Sequence, residues 1–258
     1  MKWYVLTHIR KLFLVWFLVG LTGLIAGLTL RPDLPYTLFL LYMIWVLAGH
    51  CGGNLFARSM LTQALRTLDE TCDPEPLAEV SRAIVKQNPK ACGNWVYLAW
   101  ALTLLGREEE ALEAANRAEQ RPRRLWKNPL LLLIWSSALP EDDPRREKAE
   151  EALEAMTRRG PKKRRAIIRL ALDVRKRDSQ AAQAPEELES ALTAAVEQAG
   201  CTREQVSAHL ALGLYYVQQG KPDRAQEHLA FVAAHGGKLK VKTEAEKLLC
   251  RLPAPAPR

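Results

Sequence analysis

The residues of this chain with chemistry to offer are five histidines, five cysteines and several runs of like charge. His8, His50, His209, His228 and His235 are dispersed, and an imidazole serves as a general base or metal ligand only beside a suitably spaced partner. The sequence has no H-E-x-x-H, no G-x-S-x-G, no glycine-rich phosphate loop and no calcium loop. His50 and Cys51, followed by Gly52 and Gly53, supply two possible ligands, too few for a metal site, and read as a flexible exit from the apolar segment before them. Cys51, Cys72, Cys92, Cys201 and Cys250 are odd in number and form no C-x-x-C pair, which fits small core residues in a reducing compartment. The paired acids Glu108-Glu109-Glu110 and Glu186-Glu187 fall in first turns of expected helices, where they favour the positive end of the helix dipole. No catalytic residue, metal or cofactor is therefore expected, and the chain does not read as an enzyme.

Charge is the remaining signal. Residues 121–177 hold 17 Lys and Arg against 8 Asp and Glu, a net of +9, whereas 59–120 come to −4 and 178–258 to −1. Two clusters carry the excess: Arg121, Arg123, Arg124 and Lys127, then Arg158, Arg159, Lys162, Lys163, Arg164 and Arg165. The plainest reading of such clusters is a solvated face; held near a cytoplasmic leaflet they could also bind anionic lipid headgroups, at about 1 kcal/mol for each residue that reaches the surface. An acidic protein partner is served by the same charge. Nucleic acid is disfavoured, since no recognised nucleic-acid-binding module is present.

The elements that must position these residues differ along the chain. Leu12 to Leu30 is an uncharged run of 19 residues, which as a helix spans roughly 28 Å, close to the thickness of a bilayer core. A second uncharged run, from Leu34 to about Phe56, follows after Arg31-Pro32-Asp33. The short connection requires a hairpin, and residues 1–58 are expected to form a two-span transmembrane anchor. A cleavable signal peptide would have a shorter apolar region and no second span behind it. Lys2, Arg10 and Lys11 before the first span, with Arg58 and Arg66 after the second, place both chain ends in the cytoplasm. The chain then reads as a multi-pass protein of the cell membrane. Gly20, Gly23 and Gly27 offer a flat face for close helix approach. Trp16 and Trp45 lie inside the spans, away from the interfaces where tryptophan usually sits.

From Ser59 onward apolar residues recur at helical spacing between breaks at Pro, Gly or Asp, with no strand-like alternation. The pattern predicts helices near 59–71, 75–88, 93–105, 108–120, 129–138, 144–159, 162–177, 186–199, 203–219, 222–234 and 240–250. Two segments share one spacing: Trp95, Leu98, Ala99, Leu102, Gly106, Ala111, Ala115 and Ala118, then His209, Leu212, Gly213, Tyr216, Gly220, Ala225, Leu229 and Val232. They lie 114 residues apart. Both resemble the tetratricopeptide repeat, with departures: His209 replaces the usual Trp, Ala115 or Leu229 replaces the aromatic of the second helix, and the closing proline is displaced to Pro122 or replaced by Gly237. The resemblance covers roughly 60–250. It implies an all-α fold in which a transmembrane helical hairpin precedes a right-handed solenoid of αα-hairpins over 59–252, followed by a disordered Pro-rich tail at 253–258.

Tetratricopeptide arrays are concave scaffolds, so the resemblance implies a membrane-anchored adaptor that binds a protein partner. The inward positions it implies are Val96, Trp100 and Thr103 in one repeat and Leu210, Leu214 and Val217 in the other. Trp100 lies five residues after Trp95 and therefore points about 140° away from it around the helix. Two alternatives stand beside this reading: a peripheral sensor of anionic lipid acting through the basic section, and a membrane enzyme, which would need polar residues within the spans.

Overall fold

The computed structural model describes residues 2–31, 33–119, 128–140, 142–159 and 185–252, and among these it is all-helical. The helices are α1 (Lys2–Leu30), α2 (Pro35–Thr71), α3 (Glu75–Gln87), α4 (Cys92–Leu104), α5 (Glu108–Glu119), α6 (Pro129–Ala138), α7 (Pro144–Arg159), α8 (Pro185–Glu197), α9 (Thr202–Gln218), α10 (Pro222–His235) and α11 (Lys240–Leu249). Proline stands at the start of α2, α3, α6 and α10, where its missing N–H costs nothing and its fixed φ suits the first turn. Asn128 caps α6 by accepting from the Leu130 N–H at 3.1 Å, and the Asp143 carboxylate accepts from the Arg145 N–H at 2.8 Å at the start of α7. The expected helix at 162–177 and the tail at 253–258 lie outside the described residues.

Two helices, His8–Leu30 and the one beginning at Pro35, are long and apolar enough to cross a membrane. They pair along their length, and α2 does not stop where the second span should end. It runs unbroken for 37 residues, about 55 Å, through His50-Cys51-Gly52-Gly53 into the stretch expected as a separate helix at 59–71. The expected flexible exit is thus continuous helix. Two adjacent glycines cost a helix about 1 kcal/mol each relative to alanine. The packing of α1 against this stretch offsets part of that cost, since the Ile9 side chain would lie 3.3 Å from a Cβ on Gly53. Of the three glycines on α1, Gly20 faces Trp45 and Gly27 faces Leu38, but Gly23 has open space beside it. The flat face therefore comprises two glycines rather than three.

Beyond α2, consecutive helices pack on one another from α3 to α7 and again from α8 to α11. The two recognisable units share more than sequence. Gly106 and Gly220 both turn with positive φ, 76° and 64°. The Arg107 N–H donates to the Leu102 carbonyl at 2.9 Å, and the Lys221 N–H to the Tyr216 carbonyl at 3.0 Å. Ala111, Ala115 and Ala118 are fully buried, as are Ala225, Leu229 and Val232 at the same offsets. One pair of offsets is filled differently: the first unit has Ala99 and Ala115, whereas the second has Gly213 and the larger Leu229, whose Cδ2 would be 3.0 Å from a Cβ on that glycine, so the missing methyl makes room for the leucine.

The C-terminal helices also return to the beginning of the array. Helix α9 packs on α2, and Val206, Leu210, Val232, Leu239 and Ala245 share one apolar core with Ala64, Leu68, Cys72 and Leu77. Gly237 brings the α10–α11 turn onto the end of α2, and the Lys238 N–H donates to the Cys72 carbonyl at 3.0 Å. A seam of opposite charges surrounds this contact. Arg203 meets Asp69 at 2.7 Å, Lys238 meets Asp73 at 3.0 Å and Glu75 at 2.5 Å, and Lys240 meets Glu108 at 2.6 Å. Every cation of the seam comes from the C-terminal helices and every anion from the first ones. Such partly exposed pairs contribute about 0–1 kcal/mol each, so apolar burial holds the joint and the charges fix its register.

Candidate functional site

The six residues expected to face a partner lie on α4 and α9. Val96 and Leu210 are 1% and 9% exposed and belong to the core. Trp100, Leu214 and Val217 are half-buried and pack against that core. The Thr103 hydroxyl donates back to the Ala99 carbonyl at 2.9 Å. Trp100 does not face an empty trough: the Arg203 guanidinium of α9 lies 5.3 Å from its ring centroid, a cation–π contact within the chain. The face of α4 read as a binding surface is thus partly covered by the chain's own C-terminal helices.

Of the ten basic residues singled out, Arg121, Arg123, Arg124, Lys127, Lys162, Lys163, Arg164 and Arg165 fall outside the described residues. Arg158 and Arg159 end α7.

The histidines, dispersed in sequence, are not all dispersed in space. His209 of α9 and His228 of α10 face each other with their Nδ1 atoms 2.9 Å apart. They belong to a column of rings: Tyr216 stacks on His228 at 5.6 Å, His209 on Phe231 at 4.0 Å, and Phe231 on His235 at 4.2 Å. The Tyr216 hydroxyl donates to Glu189 of α8 at 2.8 Å, and Arg224 reaches the same carboxylate at 3.0 Å. The signal was present in the sequence. His209 lies 11 residues before the turn at Gly220 and His228 lies 8 after it, so antiparallel helices bring the two level.

An Nδ1–Nδ1 contact of this length needs one ring to donate and the other to accept, so both imidazoles cannot be protonated in it. Burial holds both below the ordinary value of 6.5, and His209 is lowered further by the neighbouring His228 and His235, while Glu227 opposes the shift on both. The unfolded chain then binds protons that the folded chain refuses. Stability contributed by the pair is complete above about pH 6.5 and is lost as pH falls below it. Thermal unfolding followed between pH 7.5 and 5 should show this loss, and His209→Trp with His228→Ala, the residues that the first unit carries at these offsets, should flatten it. An unchanged pH dependence in the double variant would show that the acid sensitivity comes from elsewhere.

Among the described residues no group of three or more His, Cys, Asp or Glu side chains converges as metal ligands would. Cys72 is buried, Cys92 and Cys201 are half-buried, and Cys51 and Cys250 are exposed, so the core reading is corrected for Cys51, on α2, and for Cys250, which follows the last residue of α11. Burial raises the Cys72 and Cys201 thiols above their ordinary range, which disfavours the nucleophilic thiolate. Comparison with protein-family models, with curated proteins and with solved structures finds no match.

Proposed function

We propose that this protein is a membrane-anchored scaffold of tetratricopeptide-like helix pairs that holds a protein partner at the cytoplasmic face of a cell membrane. The observation that carries the reading is the continuity of α2, which begins in an apolar stretch and ends, without a break, in the core of the helix-pair array. An array fixed to an anchor by an uninterrupted helix is held at a set distance and orientation, which suits assembly of partners more than turnover of a diffusing substrate. Support also comes from the apolar hairpin itself, where Leu14, Val15, Ile25, Leu40, Ile44 and Leu47 are well exposed and suited to lipid. Lys2, Arg10, Lys11 and Arg58 stand at one end of the hairpin and favour the cytoplasmic side for both the N-terminus and the array. Partner contacts belong to the half-buried members of the expected face, Trp100, Thr103, Leu214 and Val217.

Affinity capture with the full-length protein from native membranes tests the reading. Trp100→Ala is expected to lose a protein retained by the unaltered chain while the array stays folded, destabilised by about 1–3 kcal/mol. Identical captured sets, or a Trp100→Ala chain that no longer folds, would assign Trp100 to packing. A reporter fused at Arg258 and active only outside the cytoplasm would reverse the proposed orientation.

A further inference from the structure

A cleft of about 420 Å3 opens between α3 and α5, floored by α4. Its deepest lining is apolar, Leu98 and Leu102 of α4 with Val85 of α3 and Ala114 of α5, each at most 4% exposed. Trp95 forms one wall. Its indole N–H donates to the Pro89 carbonyl at 2.9 Å, which fixes the ring, and the Arg117 guanidinium lies 5.3 Å from the ring centroid.

The second unit explains why the cleft exists. Leu102, Ala114, Trp95 and Arg117, all of which line it, stand at the offsets of Tyr216, His228, His209 and Phe231. Those four residues belong to the ring column of the second unit, in which the His228 imidazole lies between Tyr216 at 5.6 Å and His209 at 5.1 Å. The first unit keeps the turn geometry of the second but has the Ala114 methyl group at the offset of that imidazole. What is missing is one flat ring, set between Leu102 and Trp95.

Charge at the rim narrows the ligand further. Glu110 is shared between Arg107 at 2.5 Å and Arg82 at 3.7 Å, and Glu113 is held by Arg117 at 2.8 Å. Lys86 is exposed and makes no ion pair among the described residues. The α3 side of the rim thus presents Lys86 without an ion pair among the described residues and Arg82 with a long one to a carboxylate it shares with Arg107. We infer that the cleft between α3 and α5 is a second docking site, which takes an aromatic side chain of an acidic protein segment into the place that His228 fills in the other unit. The ring packs between Leu102 and Trp95 above Ala114, and carboxylates beside it in the segment meet Arg82 and Lys86. This site is separate from the Trp100 face and stands whether or not that face binds a partner.

The test uses the full-length protein in nanodiscs of zwitterionic lipid and the peptide acetyl-Asp-(4-fluorophenylalanine)-Glu-amide, observed by fluorine NMR. The expected result is a fluorine line that broadens and shifts with protein but not with empty nanodiscs. A peptide with leucine in place of the ring should compete about tenfold less well. Leu102→Tyr with Ala114→His, which transplants the rings of the second unit, should abolish the effect with helicity retained. Should that variant fail to fold, Arg82→Glu with Lys86→Glu at exposed positions decides the matter, and about tenfold weaker binding is expected. Equal competition by the leucine peptide, a response retained in the folded ring transplant, or no change on reversing the two rim charges would overturn the inference.

Discussion

Gly237→Ala is expected to loosen the C-terminal helices from the rest of the array, at a cost of about 2–4 kcal/mol, whereas Gly220→Ala should cost about 1 kcal/mol. Both glycines have positive φ, 52° and 64°, so both substitutions meet the same conformational penalty. Their surroundings separate them. A Cβ on Gly237 would lie 2.5 Å from the Thr71 carbonyl oxygen and 2.7 Å from that of Cys72, whereas one on Gly220 meets nothing within 4 Å. Backbone atoms at the end of α2 cannot move aside as a flexible side chain does, so the turn must lift. Lifting it breaks the bond from the Lys238 N–H to the Cys72 carbonyl and draws Lys238 from Asp73 and Glu75. Hydrogen exchange on the full-length protein should then show faster exchange in α10 and α11 for Gly237→Ala than for Gly220→Ala. Equal exchange and equal unfolding midpoints in the two variants would mean that the joint is not a tight one.

That joint shows where sequence reasoning runs out. Helix positions were legible because proline and glycine punctuate them: 75–88 is observed as Glu75–Gln87, 222–234 as Pro222–His235 and 240–250 as Lys240–Leu249. The small residues of the two units were legible too, because Ala99, Ala111 and Gly213 must be small for helices to approach. The return of α9 to α2 was not. Its polar contacts join residues separated by 134, 163 and 132 positions, Asp69 to Arg203, Glu75 to Lys238 and Glu108 to Lys240, and no local pattern specifies such pairs. Reading an open array therefore left Val96 and Leu210 on a free face, when the chain itself covers them. Gly52-Gly53 misled for the opposite reason, because local propensity favoured a break and packing along α1 and α2 overrode it. The ring column needed both a correct turn at Gly220 and the pairing of α9 with α10 before two distant histidines became one feature.

The two tryptophans inside the apolar hairpin carry the last expected result: Trp16→Phe and Trp45→Phe should each weaken the pairing of α1 with α2, and Gly49→Val should do so with both indoles retained. An indole N–H has no partner in hydrocarbon unless the protein supplies one. Here each helix supplies an acceptor to the other's ring: the Trp16 Nε1–H donates to the Trp45 carbonyl at 2.9 Å, and the Trp45 Nε1–H to the Trp16 carbonyl at 3.0 Å. The rings stack with centroids 3.9 Å apart. A helix carbonyl at position i is ordinarily screened by the side chain at i+4, and in both helices that residue is glycine, Gly20 after Trp16 and Gly49 after Trp45. A Cβ on either would lie 2.5 Å from the opposing Trp Cδ1. The sequence thus writes Trp-x-x-x-Gly once in each helix, and antiparallel pairing turns the two copies into a reciprocal clasp. Each lost interhelical hydrogen bond costs about 0.6–2 kcal/mol in a bilayer, and a β-branched side chain at Gly49 removes both bonds and the stack together. Stacked indoles give an exciton couplet in the far-ultraviolet circular dichroism, measurable as a difference between variant and unaltered protein. The couplet should vanish in either Trp→Phe variant and also in Gly49→Val, which keeps every chromophore. A couplet that survives in Gly49→Val would show that the rings do not depend on the glycine for their approach, and the clasp would then lack its cause.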